Sequence, residues 1–129
     1  MSEMVGGFAD VRIIAGTAKG IRLKTPKGMN TRPTADRVKE SVFGILAADV
    51  VDAEVLDLFA GTGNLGLEAL SRGAASATLV DKNIQSVKIM MENAILTDLS
   101  RAAVICREEV LAALRRLQAA GKSFDLIFC

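Results

Sequence analysis

The sequence contains no histidine, no tyrosine and no tryptophan, and only two cysteines. Each gap removes a class of chemistry. Without histidine the chain cannot build a Ser-His-Asp triad, a Cys-His pair or a His-ligated metal centre from its own residues, and no metal site is expected. Cys106 and Cys129 lack CxxC spacing, so they suggest neither a zinc site nor a disulfide framework. They read as buried or terminal thiols of a reducing compartment, the cytoplasm. Five phenylalanines are the only aromatics, which removes the usual stacking platform for single-stranded bases. No apolar run reaches the roughly 18 residues that span a bilayer, and the N-terminus lacks the basic-then-apolar layout of a signal peptide. No membrane partner is expected.

What is present points to a globular chain. Hydrophobic residues make up 50% of the 129, enough for a buried core, and the length fits one domain over residues 1–129. The net charge of +1 is unevenly spread. Between Arg12 and Lys39 lie eight basic residues (Arg12, Lys19, Arg22, Lys24, Lys27, Arg32, Arg37 and Lys39) against one acid, Asp36. This local excess would attract a polyanion such as nucleic acid. A solvated hairpin that is basic without a ligand is the plainer reading of the same residues.

Val11–Gly16 and Gly20–Lys24 alternate apolar and polar residues around Thr17-Ala18-Lys19, predicting an antiparallel hairpin over residues 11–24 with one wet, basic face. Pro26, Gly28 and Pro33 punctuate a loop, after which Thr34 is expected to cap a helix with Val38, Val42, Ile45 and Leu46 at helical spacing. From Val55 strands and helices alternate. Strands are expected over Val55–Phe59, Ala77–Val80, Ala103–Cys106 and Phe124–Cys129. Helices are expected over Asn64–Ser71, Asn83 to about Ile95, and Glu108–Ala120, with Gly73 and Gly121 as stops. Strands this apolar, each followed by a helix, imply an α/β fold whose parallel sheet is covered on both faces, with residues 55–129 as its core. The last strand is an uncovered apolar edge. That predicts either a chain shorter than its fold or a homodimer formed by pairing that edge with a second copy.

Gly61-Thr62-Gly63-Asn64-Leu65-Gly66 is a GxGxxG turn between a strand and a helix, and Asp81 at the next strand end is placed to meet ribose hydroxyls. These features fit a dinucleotide or S-adenosylmethionine equally. Asp57 discriminates. A carboxylate four residues before Gly61 would oppose a pyrophosphate, whereas it would favour the ammonium and sulfonium of S-adenosylmethionine. Phe59 and Ala60 also lengthen the link to the glycines beyond the usual dinucleotide turn. Asp57 tying down the loop's own amides would suit either ligand. An NAD(P)-dependent oxidoreductase domain therefore stands as the alternative, and a non-catalytic RNA-binding module as a third reading.

Four blocks together resemble the RsmD family: Arg12–Gly16, Thr31–Glu40, Leu56–Gly63 and Gly66–Ala74. Its members are bacterial methyltransferases acting on a guanine N2 of 16S ribosomal RNA. The resemblance runs from about Val11 to Cys129. It implies a Rossmann-like class I methyltransferase fold preceded by the hairpin and a helix, with 16S ribosomal RNA or the small ribosomal subunit as partner. It also implies a cofactor set for S-adenosyl-L-methionine of Asp57, Phe59, Ala60, Gly61, Thr62, Gly63, Asp81, Lys82, Glu109, Val110, Arg32 and Thr34. In that set Lys82 lies beside the adenine, and Arg32 and Thr34 belong to a segment closing over the ligand. Arg12, Lys19, Arg22, Lys24, Lys27 and Arg37 would meet RNA phosphates. Family members usually carry Gly-Asp where this chain has Glu108-Glu109, so Glu109 would reach the adenine amino group with a longer side chain. An acid favoured at a helix N-terminus is the plainer reading of that residue. The family's catalytic Asp/Asn-Pro-Pro-Tyr motif would follow Cys129. No catalytic residue is therefore expected in this chain, and normal activity is not expected of it alone.

Overall fold

The computed structural model describes residues 11–26 and 33–129, with the backbone alone for 33–35. Strands β1 (Val11–Arg12) and β2 (Arg22–Leu23) pair antiparallel, Val11 opposite Leu23 and Arg12 opposite Arg22. The predicted hairpin is therefore real but pairs over only two residues per strand. Its connecting loop instead turns inward and buries Ile13 and Ala18.

Helix α1 (Pro33–Leu46) begins at Pro33, so Thr34 lies inside its first turn and not at the cap expected of it. Proline suits a first turn because its missing N–H would have no helical partner there. The buried stripe also differs from the expected one. Val38 and Ile45 are exposed, while Lys39 and Phe43 are buried, with Val42 and Leu46 half-buried beside them. The helix is rotated so that a lysine faces the protein.

Strand β3 (Glu54–Asp57), helix α2 (Asn64–Ser71), strand β4 (Ser76–Asp81), helix α3 (Ile84–Leu96), strand β5 (Ala103–Arg107), helix α4 (Val110–Ala119) and strand β6 (Leu126–Phe128) follow in order. All four strands run parallel in the order β5-β4-β3-β6. Alternate residues point to opposite faces of the sheet. Val55, Ala77 and Leu79 pack in one cluster with Leu67 of α2 and Met90 of α3, while Leu56 and Val80 pack in another with Ala113 and Leu117 of α4. Burying each such large side chain stabilises the fold by roughly 1.5–3 kcal/mol. The boundaries agree with the sequence to within two residues. At α4 the start moves to Val110 because Glu109 is extended (φ −74°, ψ 152°).

The third glycine of the motif serves packing. A Cβ on Gly66 would sit 2.0 Å from Leu79 Cδ2, so α2 approaches β4 as closely as it does because no side chain intervenes. No helix among the described residues is long and apolar enough to cross a membrane.

Candidate functional site

After β5 the chain returns past β4 and β3 to place β6 beside β3, so the strand order reverses at the β3–β6 boundary. The crevice beyond the carboxyl ends at such a reversal is where open α/β sheets take ligands. Asp57 ends β3 and Asp81 ends β4, so both stand at the carboxyl edge of the sheet, Asp57 buried and Asp81 half-buried.

The turn between them is held by its own polar groups. Leu58 donates to the Phe128 carbonyl and Ala60 to the Val80 carbonyl, each at 3.0 Å. Gly61 N–H donates to Asp81 Oδ2 at 2.9 Å, while Asp81 Oδ1 accepts from Asn83 N–H at 2.9 Å. Asp81 is thus fixed from both sides, and a carboxylate oxygen can accept a further hydroxyl proton. Gly61 and Gly63 have φ values of +56° and +90°, which carry the chain directly into α2.

Asp57 is the unusual group. It is buried, and its Oδ1 accepts from Phe59 N–H at 3.1 Å, so it does tie down the loop. Burial pushes its carboxyl up from 3.8 to about 6, the Phe59 bond pulls it down, and the Asp81 charge adds to the rise. A raised carboxyl pKa means that ionisation costs the fold. Its favourable contribution is present below about 3.8 and is lost as pH rises through about 6, by roughly 3 kcal/mol. A carboxylate held at such a cost at a strand end is a candidate functional group.

Beside Asp81 opens a cleft of about 450 Å³ lined by Leu58, Phe59, Asp81, Lys82, Glu108, Glu109, Val110 and Leu111. Five of the expected cofactor residues meet there: Phe59, Asp81, Lys82, Glu109 and Val110. Glu109 sits at the N-terminal boundary of α4, yet its side chain makes no capping bond and borders the cleft. Leu58, Glu108 and Leu111 line the same cleft although they lie outside the expected set. Glu108 is clamped by Arg116, with Nη2 at 2.6 Å and Nε at 3.0 Å, and that hydrogen-bonded guanidinium holds its carboxyl below the ordinary range. Leu58 was legible as an apolar residue at a strand end, and Glu108 and Leu111 as neighbours of Glu109 and Val110. Among the described residues, no group of three or more His, Cys, Asp or Glu is placed to hold a metal ion.

On the hairpin, Arg12, Lys19, Arg22 and Lys24 are all exposed, as is Arg37 on α1. Arg12 and Lys19 border a groove of about 310 Å³ together with Asp36 and Glu40, and Lys24 Nζ lies 3.4 Å from Glu92. The surface is therefore less purely basic than the run of residues suggested. Lys39 leaves that surface altogether. It is 1% exposed, and its Nζ lies 3.0 Å from Oε1 of Glu68, itself fully buried. Lys27 and Arg32 lie outside the described residues, as does the Thr34 side chain.

A family model described as conserved hypothetical protein 95 matches residues 11–129. Ribosomal RNA small subunit methyltransferase D of Escherichia coli (strain K12) is 43% identical over 99 residues, covering 77% of this chain and 50% of the relative. This chain thus spans about half the length of that relative. The solved structure of a hypothetical protein of Thermus thermophilus superposes with a TM-score of 0.80 at 34% identity, covering 91% of this chain and 66% of that one. A SAM-dependent methyltransferase from Agrobacterium tumefaciens gives 0.65 at 26% identity, covering 82% of this chain and 34% of that one. The fold is the Rossmann-like one that the residues and the resemblance both implied.

Proposed function

The chain belongs to the RsmD family, and from that premise we propose that it serves S-adenosylmethionine-dependent methylation of a guanine N2 in small-subunit ribosomal RNA, in the cytoplasm. The observation that carries the cofactor half of this reading is the buried carboxylate of Asp57 at the strand reversal. A dinucleotide pyrophosphate at the end of β3 would meet the Asp57 carboxylate with like charge. The ammonium and sulfonium of S-adenosylmethionine would meet it with opposite charge. When bound, that cofactor supplies an electrophilic methyl group.

The chain's own part is binding and orientation. Asp57 would face the cationic methionine end, and the Gly61–Gly63 backbone would let the ligand approach closely. Asp81 would accept the ribose hydroxyls. Leu58 and Val110 would flank a flat base, with Lys82 beside it and Glu109 accepting from its amino group. The exposed hairpin face would contact RNA phosphates, which supply affinity and register but no sequence readout. A homodimer of this chain would pair along the open side of β6, where Ile127 is exposed. A mass in sedimentation equilibrium that stays monomeric with rising concentration would count against that dimer.

Two measurements test the cofactor reading. S-adenosylhomocysteine at about 100 times its Kd should stabilise the protein by about 2.7 kcal/mol, raising Tm by about 10 °C, whereas NADH should not. Protection by NADH alone would replace this reading with the oxidoreductase one. The second concerns pH. Because the Asp57 carboxyl lies near 6 in the free protein and a cationic ligand favours its ionised form, S-adenosylmethionine affinity should rise roughly tenfold from pH 5 to pH 7.5. The Asp57→Asn variant should bind more weakly and lose most of that slope. Titration calorimetry at the two pH values decides, and an equally steep slope in the variant would move the titration to another group.

A further inference from the structure

Asn93 lies within α3, fully buried and outside the cofactor cleft. Its carboxamide makes three hydrogen bonds to two distant segments. Nδ2 donates to the Thr62 carbonyl at 2.9 Å and to the Lys24 carbonyl at 3.0 Å, while Oδ1 accepts from Lys24 N–H at 2.7 Å. Thr62 is the centre of the glycine turn, and Lys24 follows β2 in the basic hairpin. The peptide between Thr62 and Gly63 is planar and rigid. It is held at both ends, because Gly63 N–H donates to the Ala60 carbonyl at 2.8 Å while Asn93 holds the Thr62 oxygen. One side chain thus serves as the joint between the turn and the hairpin.

A second tie runs alongside. Lys39 Nζ donates to the Arg12 carbonyl on β1 at 2.6 Å and to Oδ1 of Asn64, the residue after the turn, at 2.7 Å. β1 and the residue that follows β2 are therefore each bonded to the glycine turn or its immediate continuation through buried side chains.

We infer that Asn93 is a positioning residue that couples the glycine turn to the hairpin, so that a ligand seated on the turn also tightens the backbone at Lys24. This rests on the turn being the S-adenosylmethionine site. Coupling of binding equilibria is reciprocal, so a polyanion on the hairpin would in turn favour the cofactor. Ordering the shared bonds once lowers the cost of ordering them for the second ligand.

Amide hydrogen exchange on the full chain, with and without saturating S-adenosylhomocysteine, tests it. The Lys24 amide, which is outside the cleft and donates to Asn93, should exchange at least about fivefold more slowly with the ligand bound. The Asn93→Ser variant should lose that response while its Gly61 and Gly63 amides still respond. Slowing at Gly61 and Gly63 with Lys24 unchanged in the natural protein would overturn the inference, even if the variant fails to fold. A Lys24 response that survives in Asn93→Ser would equally remove the role given to Asn93. No response at Gly61 and Gly63 would fail the cofactor reading itself, and the inference with it.

Discussion

Replacing Glu68 by alanine should destabilise the protein by about 3–5 kcal/mol, the range for breaking a buried ion pair by removing one partner. Glu68 has no exposed surface, and four donors converge on it. Its Oε1 accepts from Ile14 N–H at 2.9 Å and pairs with Lys39 Nζ at 3.0 Å; its Oε2 accepts from Ala15 N–H at 3.1 Å and Arg72 Nε at 2.8 Å. Without the carboxylate, Lys39 would keep the Arg12 carbonyl and Asn64 amide oxygens as acceptors but lose its countercharge in the interior. The Ile14 and Ala15 amides would lose their acceptor as well. Urea unfolding should show a midpoint lower by about 2 M at an unchanged m-value. A Lys39→Met/Glu68→Leu double variant should recover part of the loss, because an apolar pair of similar volume avoids the stranded charge. A midpoint for Glu68→Ala within about 0.3 M of the parent would refute this account of the hairpin's attachment.

Gly16→Ala should cost about 3–4 kcal/mol, from a steric overlap added to left-handed backbone strain. A Cβ at Gly16 would stand 1.8 Å from the Ser71 carbonyl oxygen, a backbone atom that cannot rotate away. That carbonyl accepts from Thr17 N–H at 2.8 Å, and the Ser71 hydroxyl accepts from Ala18 N–H at 2.9 Å while donating to the Ala15 carbonyl at 2.6 Å. The hairpin loop thus docks on the end of α2 through a contact that only glycine permits. Gly20→Ala separates the two contributions. Gly20 has φ +87°, close to the +92° of Gly16, but a Cβ there would meet no atom within 4 Å. It should therefore cost about 1–2 kcal/mol, the backbone strain alone. Chemical denaturation of the two variants side by side measures the difference, and equal losses would rule out close approach as the cause.

Glu68→Ala and Gly16→Ala act on the same interface, and that interface was only half legible. The blocks Arg12–Gly16, Thr31–Glu40 and Gly66–Ala74 stand out in the sequence as members of one family pattern. Nothing local says that they touch, because residues such as Ile14 and Glu68 are 54 positions apart. A signal was nonetheless present. Lys39 falls on the same helical stripe as Val42, Phe43 and Leu46, and Glu68 interrupts an apolar run from Leu65 to Leu70. Asn93 likewise sits among Met90, Ala94 and Ile95. A polar residue at a core position must find partners when buried, so each flagged a tertiary bond without naming the other end. Taking Lys39 as part of the basic surface missed this.

The strand-and-helix alternation, the glycine turn and the acids at the strand ends were set by the sequence alone. They rest on periodicity and on backbone freedom, both of which act within a few residues. Only the tertiary structure decided that β6 returns to β3, which puts the end of β3 at the reversal of strand order, and that Asp57 is buried deeply enough for its carboxyl to be pushed up to about 6. It alone decided that α1 turns Lys39 inward. Strand order, desolvation and buried pairing depend on what comes into contact across the chain, and local pattern carries no term for that.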